Sequence, residues 1–257
     1  MRTLSITAAL VCLALLGSVN AEEKLSMSDA DKKMYAELLE SNPAEMEVAE
    51  GEQLFGELVG TANYAKMLGV KEKDLPKYIA SFPRYVESAK KVVTLAQTIQ
   101  MAAAASEKPS PKLESKEMVK MSAYVKSIAN GQKTSIDVKA NKHMVEMMKL
   151  GQQVFEERRG GRGLSCNNCH SMDIVGQRLR MQPLPDLGAK ETAAAGTWPA
   201  YRMTQSQMVT LDKRMQQCMK NALLAEIPLG SREIVALEVY VTNKTKGNPI
   251  NVPSVKR

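Results

Sequence analysis

Apolar residues recur along this chain at helical rather than strand spacing. Two segments show it best, residues 115–131 and 231–247, which match in register at Ser, Glu, Val, Tyr, Val and Gly. Each predicts one helix. Ser115 and Ser231 stand where an N-cap hydroxyl is wanted, Glu117 and Glu233 occupy the first turn, and Gly131 and Gly247 supply a left-handed stop. Val235, Leu237, Tyr240 and Val241 form a broad buried stripe. Upstream, Gly51 precedes Phe55 by four residues and Gly151 precedes Phe155 by four. A glycine there lets another helix cross closely while the ring one turn later fills the core. Met208, Leu211, Met215, Cys218 and Ala222 also fall at helical spacing, with Cys218 on the inward face. No alternating run predicts a long strand.

This weak internal repeat predicts a mainly α chain of two tandem domains of one fold. Residues 102–112, Ala-rich and then carrying Pro109 and Pro111, read as a loop inside the first half. Residues 133–142 lack apolar periodicity and read as the connection between domains. Before them, Arg2, an apolar run over 6–16 and a small-x-small end at Val19 to Ala21 have the layout of a secretory signal. The predicted organisation is a signal at 1–21, a first domain at 22–132, a linker at 133–142 and a second domain at 143–257. No other stretch approaches the length and apolarity of a membrane span, so the mature chain is expected to be exported.

Cysteine usage changes the picture. Cys12 leaves with the signal, and Cys166, Cys169 and Cys218 remain, an odd number that argues against a plain disulfide framework. The formal charge of +7 reads as a Lys-rich solvated surface or as attraction to anions. With aromatics at 4% and an exported chain, nucleic acid is not expected as a partner.

Cys166-Asn-Asn-Cys169-His170 is the strongest chemical signal. Two thiols three residues apart on a turn entering a helix suit thioether bonds to the two vinyl groups of one haem, with the adjacent imidazole on the iron. A zinc half-site and a redox dithiol are the rivals. The first needs two more ligands, and His143 is the one other histidine; the second needs a βαβ context. The corresponding stretch of the first half, 66–70, has neither Cys nor His. The expectation is two cytochrome c-like domains with one covalently bound haem c, held in the second.

The iron's sixth ligand decides what such a protein does. Met172, Met181, Met203, Met208, Met215 and Met219 are the thioether candidates; a closed electron carrier would use one of them, although most of 17 methionines are core filler. Cys218 is the alternative, against its bland reading as a buried structural thiol. Arg214 lies one turn earlier on nearly the same face, or else pairs with a surface acid. A cation beside a thiol favours the thiolate, the species that binds metal and attacks sulfur.

At these residues the chain resembles the SoxA family of the bacterial Sox thiosulfate-oxidising system. The likeness rests on Trp198-Pro-Ala-Tyr-Arg202, Leu211-Asp-Lys-Arg-Met-Gln-Gln-Cys218, Gly230-Ser-Arg-Glu-Ile-Val-Ala-Leu-Glu-Val-Tyr240 and the Gly247-Asn-Pro-Ile-Asn-Val-Pro ending, with a fainter match at Asn42-Pro43 and 50–55. The resemblance implies two cytochrome c domains, of which the first has lost its haem. It implies that Cys218 is a catalytic cysteine persulfide ligating the iron opposite His170, and that Arg214 lines the substrate site. It further implies an L-cysteine S-thiosulfotransferase of the periplasm, which joins thiosulfate to a cysteine of the carrier SoxY and passes two electrons toward the cytochrome SoxX. One departure stands out: where the family often carries an Arg soon after the cysteine, this chain has Leu223 and Leu224, leaving Lys220 or Arg232 as substitutes. The competing expectations are a plain electron-transfer cytochrome with Met ligation and a module that uses haem for stability alone.

Overall fold

A computed structural model describes residues 28–179, 182–189 and 192–256. The predicted signal at 1–21, with Cys12, and the candidate Met181 lie outside them. The chain divides into two compact units, Met1–Ala36 and Glu37–Arg257. The first contributes the start of helix α1 (Asp29–Glu40).

Within the second unit the elements come twice. Helix α2 (Ala44–Leu58) is followed by α3 (Thr61–Leu68), α4 (Leu75–Ile79), the hairpin β1 (Arg84–Val86) and β2 (Lys91–Val93), α5 (Leu95–Ala105) and α6 (Lys116–Ser127). Then come α7 (Lys142–Glu156), α8 (Asn167–His170), the short pair β3 (Arg178–Leu179) and β4 (Gln182–Pro183), the hairpin β5 (Ala200–Arg202) and β6 (Gln207–Val209), α9 (Leu211–Ala222), α10 (Arg232–Lys244) and the final strand β7 (Ser254–Lys256). From the hairpin onward each first-half residue recurs 116 positions later: Arg84 pairs with Val93 as Ala200 pairs with Val209. Lys90 and Ser206 both turn the hairpin at positive φ, and Thr94 and Thr210 cap the next helix through their hydroxyls.

Sequence explains these elements locally. Ser115 Oγ accepts from Met118 N at 3.1 Å and Ser231 Oγ from Ile234 N at 3.3 Å, as expected of N-caps. Gly131 and Gly247 have positive φ, four residues after Ser127 and three after Lys244, where their helices end. Two expectations need correction. Residues 102–105 continue α5 rather than starting a loop, since alanine is the best helix former. Met208 belongs to β6, not to the helix of Cys218, because Thr210 caps that helix after it.

The two inter-helix crossings depend on glycine. A Cβ on Gly51 would lie 2.2 Å from the Lys120 carbonyl oxygen, and one on Gly151 2.0 Å from that of Ala236. No other residue lets α2 meet α6, or α7 meet α10, this closely. Phe55 and Phe155, one turn on, are both buried beneath these crossings.

Two large apolar cores result, one per half, with a small cluster of Trp198, Ala200 and Val209 besides, and one face of each hairpin packs into the other half's core. Val92 and Tyr85 of the first hairpin pack into the second core, where the Tyr85 ring stacks on His143 at 4.7 Å. Their counterparts Met208 and Tyr201 pack into the first core. The chain's end also crosses: Ile250 and Val252 enter the first core, and Asn130 Nδ2 donates to the Val252 carbonyl at 2.6 Å. The connecting stretch is packed too. Ile136 is fully buried, and Ser135 N donates to the Ala80 carbonyl. Glu37–Arg257 therefore holds together as one unit, and the site lies on its second half.

Candidate functional site

The helix α7 delivers Phe155, and the turn after it delivers the haem-type motif. Asn168 Oδ1 accepts from Ser165 N at 2.9 Å and from Ser165 Oγ at 3.1 Å, closing the turn before α8. Backbone N–H groups of Cys169 and His170 then donate to the Cys166 carbonyl. This single helical turn sets the two thiols and the imidazole on neighbouring faces. His170 Nδ1 lies 3.0 Å from the Pro185 carbonyl oxygen. A carbonyl only accepts, so Nδ1 carries the proton and Nε2 keeps its lone pair for a metal. Burial, more than any neighbour, holds the imidazole below its ordinary pKa and so in this neutral form; Arg214 and Lys244 push the same way.

Opposite this turn stands α9, the most sharply two-faced part of the second half. Asp212 and Met219 are buried on it, while Arg214, Met215 and Cys218 are half-buried along the side that faces the motif. All three thiols are free and half-buried, and Cys218 is near enough to Cys166 to raise its pKa. Burial pushes the Cys166 thiol up to about 11, with Cys218 adding to it. Burial also raises Cys218, and Arg214 pulls it back down. The expectation that Arg214 favours a thiolate holds in direction, but without a metal burial outweighs it.

The remaining walls are apolar and aromatic. Phe155 packs on Tyr240 at 5.0 Å between centroids and on His170 at 6.5 Å. Lys244 Nζ lies over both rings, 5.4 Å from the Phe155 centroid and 5.0 Å from that of Tyr240. A donor set of two thiols one turn apart, an imidazole with a free Nε2 and a third sulfur on α9 fits a covalently attached haem. Among the described residues no group of three or more His, Cys, Asp or Glu could hold a single metal ion, which is the arrangement a zinc site would need.

The thioether candidates fall elsewhere in part. Met208 and Met219 are buried in the two cores, and Met172 is 75% exposed. Met203 and Met215 are half-buried. Lys220 and Arg232, the basic residues that the sequence offered for a second anion contact, are both exposed. Sequence reasoning passed over Arg202, which is buried on β5 and feels Arg214. The signal was available: Pro83-x-Tyr85 and Val93-Thr94-Leu95 recur as Pro199-x-Tyr201 and Val209-Thr210-Leu211, which sets Arg202 against Val86.

Comparison with known proteins now decides the family. Residues 50–134 match the family described as SoxA/TsdA, cytochrome c domain. Over 273 aligned residues the chain is 32% identical to the L-cysteine S-thiosulfotransferase subunit SoxA of Hydrogenophilus thermoluteolus, covering 98% of this chain and 99% of that one. The chain belongs to the SoxA family. The SoxA of Chlorobaculum thiosulfatiphilum is 29% identical over 235 residues, 90% of this chain and 78% of its own. The fold matches the crystal structure of SoxXA from P. pantotrophus with a TM-score of 0.74 at 21% identity, over 88% of this chain and 84% of that one. The match to the family description falls on the half without the Cys-x-x-Cys-His motif, so the two halves are cytochrome c-like and the SoxA fold includes both. No helix among the described residues is long and apolar enough to cross a membrane.

Proposed function

We propose that this SoxA-family chain is an L-cysteine S-thiosulfotransferase that joins thiosulfate oxidatively to a cysteine of the carrier protein SoxY. One observation carries the reading: Cys218 and Arg214 stand one turn apart on α9, both half-buried, and Cys218 lies near enough to feel Arg214 and Cys169. The names of its relatives support the activity.

Cys166 and Cys169 would hold one haem c, with His170 Nε2 and the Cys218 sulfur as the groups that would bind its iron, in a domain at 143–257 that follows a haem-free domain at 22–132 and a linker at 133–142. When bound, the haem supplies a one-electron redox centre. The chain's own groups do the rest. Pro185 fixes the His170 tautomer. Arg214 holds the thiosulfate dianion by charge-assisted hydrogen bonds and directs its outer sulfur at Cys218. The terminal sulfane sulfur carried on Cys218 forms an S–S bond to that outer sulfur as two electrons leave to a cytochrome acceptor. The carrier thiolate then attacks the thiosulfate-derived sulfur and displaces the Cys218 persulfide, giving the carrier S-thiosulfonate. A SoxX-type cytochrome fits as the acceptor, since the related solved structure is of SoxXA. The periplasm is the compartment in which the predicted signal would place this chemistry.

The test uses haem-loaded protein with its partner cytochrome, thiosulfate and the carrier. Cys218→Ala is expected to cut conjugation at least ~1,000-fold while covalent haem stays at the wild-type level. Turnover retained by that variant would remove Cys218 from the reaction.

A further inference from the structure

A thiosulfate dianion carries two charges, and Arg214 supplies one counter-charge. The half-to-half comparison shows where another comes from. Across the 116-position repeat, three buried uncharged residues of the first half, Val86, Thr98 and Ala102, correspond to Arg202, Arg214 and Cys218 of the second. Two of these three replacements already belong to the site. The third, Arg202, is 6% exposed, and its Nε is buried without a hydrogen-bond partner.

Its neighbours are also cations. Strand β7 runs parallel to β5 with Arg202 opposite Lys256, so both side chains leave the same face of the sheet. Burial pushes Arg202 down to about 10, and Arg214 pushes the same way. Burial lowers Lys256 as well, with Arg202 adding to it. Among the described residues the ion pairs join Lys32 to Asp29, Lys90 to Glu87, Lys120 to Glu50 and Arg159 to Glu157, and none reaches Arg202, Arg214 or Lys256. The turn after β5 is also tied to the reactive helix. Gln205 Nε2 donates to Gln217 Oε1 at 3.2 Å, and Gln217 Nε2 donates to Gln205 Oε1 at 2.9 Å, one residue before Cys218.

Burying a guanidinium with an unpaired Nε beside other cations is unfavourable unless an anion compensates. From this we propose that Arg202, with Lys256 beside it, forms the outer part of the thiosulfate site and holds the sulfonate oxygens while Arg214 stays with the sulfur that reacts at Cys218. The ligand class is a small divalent sulfur oxyanion. This assignment rests on the reading of Cys218 as the reacting sulfur.

The test is steady-state kinetics of haem-loaded Arg202→Met, Arg202→Lys and Lys256→Met, with partner cytochrome and saturating carrier. Arg202→Met is expected to raise KM for thiosulfate about tenfold or more, with kcat within about threefold of wild type. Arg202→Lys recovers part of the loss, and competitive inhibition by sulfate weakens in parallel. Lys256→Met raises the same KM about threefold. An unchanged thiosulfate KM in Arg202→Met overturns the assignment, as does a rise confined to the KM of the carrier. Should Arg202→Met fail to accumulate with haem, Lys256→Met decides, an unchanged KM counting against the site. These results separate from the parent reading: if Cys218→Ala is inactive and Arg202→Met keeps its KM, only the outer contact is wrong, whereas an active Cys218→Ala removes the reaction itself.

Discussion

The two halves of this chain share a framework and differ in what fills it. In the first, Phe55 meets Tyr64 edge-on at 5.2 Å and Tyr124 at 5.7 Å; in the second, Phe155 meets Tyr240 at 5.0 Å and His170 at 6.5 Å. Tyr64 is fully buried and donates to Thr98 Oγ1 at 2.6 Å, which itself donates to the Leu95 carbonyl. Thr98 stands where the second half has Arg214, and Ala102 where it has Cys218. The first half, which has neither Cys nor His at the corresponding stretch, is thus closed by one aromatic ring and two small residues. The other half has three free thiols, an imidazole and a buried guanidinium with an unpartnered Nε. A fold whose interior is filled by side chains can be stable without a cofactor.

The shared framework is visible in small details. Gln100 Nε2 donates to the Pro111 carbonyl at 2.9 Å, and Gln216 Nε2 to that of Ile227 at 2.7 Å. Between Phe155 and Ala200 the second half has more chain than the first has between Phe55 and Arg84, and this extra length carries α8 and Pro185, the parts that present His170.

Breaking the comparison starts with the thiols. Replacing Cys166 and Cys169 together by Ala is expected to abolish covalent haem altogether, read by haem staining of the denatured protein. The same loss cannot be produced from the first half. There, Tyr64→Ala is expected to cost about 3–5 kcal/mol, because a fully buried ring and its hydrogen bond disappear. Denaturant unfolding checks it, and the haem spectrum should not move. Next come the crossings. Gly51→Ala and Gly151→Ala should each cost about 1–3 kcal/mol, since the new Cβ meets a backbone oxygen. Only Gly151→Ala should also perturb the haem spectrum, because α7 carries Phe155.

The smallest effect lies between the halves. Lys126, Asp212 and Glu238 line a cavity of about 60 Å³ there, with Thr94 and its repeat partner Thr210. Glu238 is pushed up to about 8, by burial first and then by Asp212, against the pull of Lys126. Its protonated form is the one the fold prefers, so stability falls as pH rises from 4.5 through 8. Glu238→Gln fixes the neutral form and should gain roughly 1 kcal/mol over wild type near pH 8, and nothing near pH 4.5. Thermal melts at the two pH values test the sign. Lys126, lowered by burial to about 8, acts above that window.

Much of this was legible in the sequence. The capping serines, the glycine crossings and the Cys-x-x-Cys-His turn each depend on residues a few positions apart, and local patterns report such features directly. The hairpins did not show, because strands of three residues are too short to alternate. Nor did the exchange of Val92 and Met208 between cores, since nothing local to a residue says which half it will pack against. The site divided along the same line. Cys218 and Arg214 could be paired because they sit one turn apart on a single helix. Arg202 shows only in the repeat 116 positions apart, and its neighbour Lys256 reaches it through strand pairing, which no local pattern reports.

The account turns on which atom faces the iron opposite His170, and the absorption spectrum of the oxidised holoprotein tests that most directly. Sulfur ligation from Cys218 predicts no weak far-red band of the kind that methionine ligation gives, and predicts that Cys218→Met acquires one. A far-red band in the wild-type protein that persists in Cys218→Ala would contradict it and leave an electron carrier in place of an enzyme.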